Sequence, residues 1–206
     1  MTDRHFLSGR IVTALLLGAI AGFLAALFAS DAFFDWAFAR HHNMLSWAVR
    51  PLLVLPFIFF AWRRNLNGIL TTILALLTSM FWFPAPAETG PRVADFLAME
   101  QERLRAGLDL KNLLGLAAVL AYGWALAAAF WMRSLLIGGA VVVAGAAGKM
   151  VWSMIEGGES GTALLPFAIG GAVVVVAALI LFAMRRKPLD RRHRHTDKID
   201  PGYRAQ

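Results

Sequence analysis

Residues 11–29 read IVTALLLGAIAGFLAALFA, a run without a single charged side chain. A hydrocarbon layer about 30 Å thick is crossed by roughly 20 helical residues, at a rise of about 1.5 Å each. Leu and Ala dominate the run, and it lacks the alternation of polar and apolar residues that marks a strand of a membrane barrel. The stretch therefore predicts a transmembrane α-helix.

Five further apolar runs of similar length follow along the chain. Together with the first they predict six transmembrane helices, at residues 11–29, 44–62, 66–84, 112–131, 134–155 and 163–184. The composition agrees, because 59% of the 206 residues are hydrophobic and only 16% are charged, whereas soluble domains average about 25% charged residues. We predict an all-α, polytopic integral membrane protein that forms a single membrane domain over residues 1–206.

The basic residues are distributed unevenly across the predicted membrane. Thirteen of the 20 Lys and Arg residues fall on the side of the two termini, and nine of the 13 acidic residues fall on the other side. Loops rich in Lys and Arg are retained in the cytoplasm. We therefore expect cytoplasmic termini, a basic cytoplasmic tail at residues 185–206 and a location in a bacterial inner membrane. The high pI, about 10.8, then reports orientation and does not predict nucleic-acid binding.

The segment between the third and fourth predicted helices is expected on the external side. After several prolines, residues 92–110 predict an amphipathic helix whose apolar stripe includes Val93, Leu97 and Leu104. Such a helix is expected to lie on the membrane surface or to cap the bundle. Glu100 falls within the apolar stripe, and a carboxylate there requires a cationic or hydrogen-bonding partner. We expect it to fold back against the outer ends of the helices.

Two basic residues lie inside predicted spans and are candidate ligand-binding residues together with Glu100. Arg50 lies about 9 Å along the second predicted helix, and Lys149 lies in the fifth. Charges in the hydrocarbon layer are costly and usually face the bundle interior or a water-filled cavity. The alternatives are that either side chain snorkels to the headgroups, or that the second helix begins later, with Pro51 in its first turn.

The loop predicted at residues 30–43 carries two adjacent histidines. His41 and His42 are candidate ligand-binding residues, because histidine exchanges protons near neutral pH, and with Asp35 they could supply metal ligands. Adjacent histidines point in different directions, however, and no His-x3-His or His-Glu-x-x-His spacing is present. The chain contains no cysteine, which excludes a thiolate metal site. We expect neither a metal nor a cofactor.

A polar stripe runs along the third predicted helix. It comprises Asn67, Thr71, Thr78 and Ser79. Such a stripe is typical of a pore or a substrate path. The alternative is hydrogen bonding between helices, or from each hydroxyl back to its own helix, which is common in membranes. This second interpretation is favoured, because the stripe contains no ionisable group.

Three functions are compatible with this pattern. The first is a transport- or channel-like protein with a polar, positively biased site open to the external side, and it predicts an anionic small molecule or a lipid headgroup as ligand. The second is a non-catalytic membrane assembly or accessory protein. The third is a membrane-embedded enzyme acting on a lipid or an externally presented substrate, with His41 or His42 as its acid/base group.

The lipid bilayer is the expected environment, and two kinds of protein partner are expected within it. These are a second copy of the chain, or another membrane protein. Ala140, Ala144 and Gly148 recur at every fourth position of the fifth predicted helix. Small residues at this spacing predict close contact between helices.

Overall fold

The computed structural model describes residues 2–107 and 109–186, so the predicted basic tail lies outside the described residues beyond position 186. Within this range the chain is all-helical and no strand occurs. The helices are α1 (Thr2–Ala29), α2 (Asp31–His41), α3 (Met44–Leu52), α4 (Val54–Trp62), α5 (Leu66–Thr78), α6 (Pro91–Arg105), α7 (Leu110–Trp131), α8 (Leu135–Gly157) and α9 (Leu165–Arg186). Two 3-10 turns, Ser79–Phe81 and Ser160–Leu164, extend α5 and precede α9.

Polar residues determine where most of these helices begin. Ser30, Asn43, Asn65, Asp109 and Ser134 precede α2, α3, α5, α7 and α8, and each side chain accepts a hydrogen bond from a backbone N–H in the first turn. Such caps satisfy N–H groups that have no acceptor within the helix. The short polar connections between the apolar runs therefore define the starts of the helices.

Within the described residues, five helical stretches are long and apolar enough to cross a membrane. They cover Gly9–Ala29, Met44–Trp62, Leu110–Trp131, Leu135–Gly157 and Ser160–Arg185. Length and composition of these helices place the chain among helical membrane proteins.

The third predicted span, at residues 66–84, is shorter than expected. Its apolar helix covers Leu66–Phe81, including the 3-10 turn. Pro84 and Pro86 follow closely. Proline donates no backbone hydrogen bond and disfavours a helical conformation at the residue before it. The helix therefore ends before the predicted boundary.

The second predicted span, residues 44–62, consists of two helices. The chain turns at Leu53, between α3 and α4. Pro51 and Pro56 lie on either side of this turn. Each proline lacks the N–H that would bond to the carbonyl four residues earlier, so the helix is weakened at this point. The alternative in which the helix begins at Pro51 is wrong, because α3 begins at Met44.

The segment predicted as a loop at residues 30–43 is mostly helical. α2 occupies Asp31–His41 and buries Phe34, Ala37, Phe38 and His41. These positions follow the i, i+3, i+4, i+7 spacing of one helix face. This spacing, together with the Ser30 cap, indicates the helix.

The small-residue face of α8 makes no close helix contact within the described chain, and its contact with a second copy stays a prediction. Ala140, Ala144 and Gly148 are exposed in this chain. The neighbouring Gly138 and Gly145 lie instead against aromatic rings, where an added Cβ would meet Phe130 and Tyr122 respectively. α8 therefore packs on α7 through the face that carries Gly138 and Gly145.

Three apolar clusters hold the helices together. The largest joins α4, α5, α7, α8 and α9 around Phe130 and Val175. A second joins α1, α2 and the turn after α5 around Phe38. The third packs α6 across the ends of α3, α8 and α9, and it contains Trp47, Phe96 and Phe167 among others. We call this end of the bundle the α6 end.

Candidate functional site

Four of the predicted site residues meet at the α6 end. His41 is the last residue of α2, Arg50 lies in α3, Glu100 in α6 and Lys149 in α8. They come from four helices and from distant parts of the sequence. We refer to these four residues as the charged cluster.

His41 and Arg50 form the buried part of the charged cluster. Nη1 of Arg50 lies 3.1 Å from Nε2 of His41. A guanidinium only donates hydrogen bonds, so Nε2 accepts and the proton of the neutral imidazole lies on Nδ1. Nδ1 lies 3.1 Å from Oγ of Ser46, which in turn donates to the carbonyl of Asn43 at 2.8 Å. Every polar atom of the imidazole is thus engaged.

Arg50 turns into the protein and does not reach out toward lipid. Its Nε donates to Oγ of Ser79 at 3.3 Å, and that hydroxyl donates to the carbonyl of Leu76 at 2.7 Å. With the bond to His41, the guanidinium is held between α2 and the end of α5. The snorkelling alternative for Arg50 is therefore wrong.

The carboxylate of Glu100 lies between His41 and Lys149. Oε2 is 3.8 Å from Nε2 of His41, and Oε1 is 3.9 Å from Nζ of Lys149. Glu100 also attracts Arg50 electrostatically. Its side chain is 23% exposed. The predicted proximity of Glu100 to the basic residues is confirmed, whereas a role in ligand binding stays a prediction.

Lys149 is the more exposed cation of the charged cluster. Its Nζ lies 4.2 Å from the centre of the Trp152 ring and 5.9 Å from that of Phe96. An ammonium group is attracted to the face of an aromatic ring. The side chain is 46% exposed, so the snorkelling alternative for Lys149 stays a prediction.

Burial keeps His41 uncharged. Its pKa is lowered from 6.5 to about 2, first because the imidazole is desolvated and then because the charges of Arg50, His42 and Lys149 oppose a further positive charge. The contact between His41 and Glu100 is therefore not an ion pair at neutral pH. Arg50 and Lys149 supply two positive charges against the single negative charge of Glu100, so the charged cluster is positively biased.

The remaining metal-ligand candidates lie apart from the charged cluster. Nδ1 of His42 donates to the carbonyl of Phe38 at 2.8 Å. Asp35 pairs with Arg105 and accepts a hydrogen bond from Gln101 at 3.1 Å. In the part of the chain that the structure describes, no group of three His, Cys, Asp or Glu side chains converges on one point.

The polar stripe of α5 is used for local hydrogen bonding. Thr71 and Thr78 each donate to the carbonyl four residues earlier. Asn67 donates from Nδ2 to the carbonyl of Gly9 and accepts from Thr13, which joins α5 to α1. Of this stripe only Ser79 reaches the charged cluster.

Sequence reasoning missed the ion pairs that hold α6. Arg103 pairs with Glu156 at the end of α8, and Arg105 pairs with Asp35 of α2. Both arginines lie in the helix predicted at residues 92–110. Their partners could not be identified without knowing which helix ends α6 crosses.

The fold and the charged cluster define a helical membrane protein with a partly buried, positively biased site under a crossing helix. No family model, no curated protein and no solved structure matches the chain. We therefore infer function from the geometry of the charged cluster.

Proposed function

We propose that this chain is a small multi-pass membrane protein of transport- or channel-like type that binds an anion at the charged cluster, on the external side. The observation that carries the proposal is the position of Glu100, whose carboxylate lies 3.8 Å from His41 and 3.9 Å from Lys149. The Glu100 carboxylate is itself an anionic group, so the position between His41 and Lys149 is suited to an anion. An incoming anion would replace it there, and Glu100 would act as the gate.

The charges support this exchange. With Glu100 in place the charged cluster has one net positive charge, and with Glu100 withdrawn it has two. Arginine is suited to planar recognition of carboxylate or phosphate, and lysine acts as a mobile point charge. The ligand class is therefore an anionic small molecule or a lipid headgroup bearing a carboxylate or phosphate.

The orientation and the span count belong to the same proposal. At about 1.5 Å per residue, Leu66–Phe81 is about 24 Å long, and a bilayer thins locally around a short span. Counting it as a crossing gives six spans, with cytoplasmic termini on the side richer in Lys and Arg. α6 then lies on the external side of a bacterial inner membrane.

Tryptophan fluorescence provides a direct binding test. Trp152 lies beneath Lys149, so an anion that displaces Glu100 is expected to change its emission. We would titrate the full chain in neutral detergent with inorganic phosphate and, separately, with succinate. Arg50→Gln and Lys149→Gln should each weaken binding about tenfold, the effect of losing one charge-assisted hydrogen bond.

Two controls accompany this titration. Lys111→Gln removes an exposed lysine at the start of α7 and should bind like the wild type. Trp152→Phe should remove the fluorescence change without removing binding in a calorimetric assay. Absence of saturable binding for both anions, or equal weakening by Lys111→Gln, would count against the proposal.

An accessory role is the second candidate, and the α5 hydroxyls favour it. Thr71 and Thr78 bond back to their own helix, so one chain offers little polar lining for a path along α5. Uptake of the bound anion into proteoliposomes discriminates the two functions. Uptake abolished by Arg50→Gln supports transport, whereas binding without uptake supports an accessory protein.

The enzyme alternative is the least supported. Both imidazole nitrogens of His41 are engaged by Arg50 and Ser46. Its pKa of about 2 is far from the neutral range in which a general acid or base works best. His42 donates to its own helix and lies outside the charged cluster.

A further inference from the structure

A second group of basic side chains lies at the opposite end of the bundle. An open cleft of about 380 Å³ is lined there by Gly9, Arg10 and Thr13 of α1 and by Arg64, Asn65 and Asn67 at the turn into α5. Small-molecule pockets occupy roughly 300–1,000 Å³. Two of the described residues that line this cleft carry guanidinium groups. The cleft therefore favours a small anionic group.

The two walls of the cleft are fastened to each other. Nδ2 of Asn67 donates to the carbonyl of Gly9 at 3.2 Å, and Oγ1 of Thr13 donates to Oδ1 of Asn67 at 2.6 Å. These bonds hold the first turns of the α1 span against the first turn of α5. Arg10 and Arg64 are thereby kept on the same opening.

Arg64 is positioned by its backbone and by its side chain. It has a positive φ of 53°. Its backbone N–H donates to the carbonyl of Ala61 at 2.9 Å, and the backbone N–H of Asn65 donates to the carbonyl of Phe60 at 2.9 Å. The Nε donates to the carbonyl of Trp131 at 3.1 Å. One of five guanidinium donors is thus used to orient the group.

The cleft lies where two apolar spans terminate. One span begins at Gly9 and another ends at Trp62, which puts Arg10 and Arg64 at the level of lipid headgroups. We propose that the cleft binds a phosphate group between Arg10 and Arg64, supplied by an anionic phospholipid of the adjoining leaflet. Paired guanidinium groups suit the geometry of phosphate oxygens. This site is independent of the charged cluster and of the function proposed for it.

The chain supplies a matched control for Arg64. Residues 62–66 read WRRNL and residues 131–135 read WMRSL. Arg133 also has a positive φ, 59°, and its N–H donates to the carbonyl of Phe130 at 2.9 Å. Arg133 is not among the residues that line the cleft. Glycine adopts a positive φ without strain, so Arg64→Gly and Arg133→Gly are both expected to fold.

Native mass spectrometry of the full chain in neutral detergent tests whether a phospholipid supplies the phosphate group. Phosphatidylglycerol, which carries a net negative charge, should bind in preference to zwitterionic phosphatidylcholine. Arg64→Gly and Arg10→Gln should each lower the apparent affinity for phosphatidylglycerol about tenfold, and Arg133→Gly should leave it unchanged.

Inorganic phosphate tests the alternative source of the same chemical group. One outcome is that inorganic phosphate raises the thermal stability of the wild type and of Arg133→Gly but not of Arg64→Gly. If, in addition, the protein does not prefer phosphatidylglycerol over phosphatidylcholine, the site binds a soluble phosphate. If Arg64→Gly and Arg133→Gly behave alike with both phosphatidylglycerol and inorganic phosphate, the proposal is overturned. General surface charge would then account for any binding.

Discussion

His41 is only 3% exposed, although imidazole is readily solvated. Its carbonyl accepts a hydrogen bond from Nε1 of Trp47 at 3.1 Å, and its ring lies against that indole. A protonated imidazole could not accept from Arg50 at Nε2. The residue therefore acts as a neutral connector that positions Arg50.

This burial makes the stability of the protein dependent on pH. The pKa of His41 is about 2 when folded and about 6.5 in an unfolded chain. Between these values only the unfolded state binds the proton, so the free energy of unfolding should fall as the pH drops below 6.5. The slope from this residue is up to about 1.4 kcal/mol per pH unit. Above pH 7 its contribution should be constant.

Unfolding in mixed micelles at pH 7.5, 6.5 and 5.5 measures the effect. Arg50, Lys149, Glu100 and His42 also face His41 or act on it, and comparison with His41→Gln cancels their own titration. A glutamine oxygen can still accept from Arg50. Identical pH slopes for the two proteins would show that the imidazole is not the group responsible.

Gly170 and Gly171 give a second test at the level of single residues. A Cβ at Gly171 would meet Pro51 of α3, whereas a Cβ at Gly170 has nothing within 4 Å. Gly171→Ala should therefore cost about 1–3 kcal/mol through overpacking. Gly170→Ala should be neutral or slightly stabilising, since Ala favours helix. Thermal unfolding of both variants in one detergent measures the difference, and equal behaviour would contradict close packing of α3 on α9.

α6 shows how ion pairs determine the position of an element. Its apolar face packs Phe96 and Leu97 into the bundle end. Glu100 and Arg103 pair with side chains of α8, and Arg105 pairs with Asp35 of α2. Arg103 and Glu156 are both 20% exposed, so water screens their attraction only in part.

Loss of the pair between Arg103 and Glu156 should loosen α6. We expect Arg103→Ala to speed amide exchange in α6 roughly tenfold, which corresponds to about 1–2 kcal/mol of local stability. Hydrogen–deuterium exchange measured by mass spectrometry follows the helix directly. Arg92→Ala, at an exposed position of the same helix, is the control. Equal exchange in both variants would mean that apolar packing alone holds α6.

At the same scale, sequence patterns predicted some elements and missed others. Long apolar runs predict membrane-spanning helices because the bilayer core offers no hydrogen-bonding partners for an irregular backbone. Basic neighbours of Glu100 could be predicted because a carboxylate on an apolar helix face requires them. The turn at Leu53 was missed although Pro51 and Pro56 indicate it. The bonds from His41 to Ser46 and Arg50 could not be predicted, since they depend on how α2 and α3 meet.

The whole molecule has two ends of different chemistry. The α6 end carries the charged cluster and most of the acidic residues, and the other end carries Arg63, Arg64 and Arg133 around the helix turns. If the basic end is cytoplasmic, the charged cluster faces outward.

Single cysteines can test this orientation, because the chain contains none. Glu88 lies before α6, and Met132 lies in the turn between α7 and α8. Both are exposed. A membrane-impermeant maleimide should label Glu88→Cys in intact spheroplasts. It should label Met132→Cys only after the spheroplasts are lysed. The opposite pattern would reverse the proposed orientation, and equal labelling would contradict the span count.

The turn at Leu53 gives α3 and α4 different mechanical roles. α4 is anchored by Ile58 and Ala61 in the largest apolar cluster, whereas α3 carries Arg50. The prolines remove two of the hydrogen bonds that would otherwise stiffen the join. α3 is anchored separately, with Trp47 in the cluster beneath α6 and Pro51 against Gly171 of α9, so the two halves of this span are fixed to different parts of the bundle.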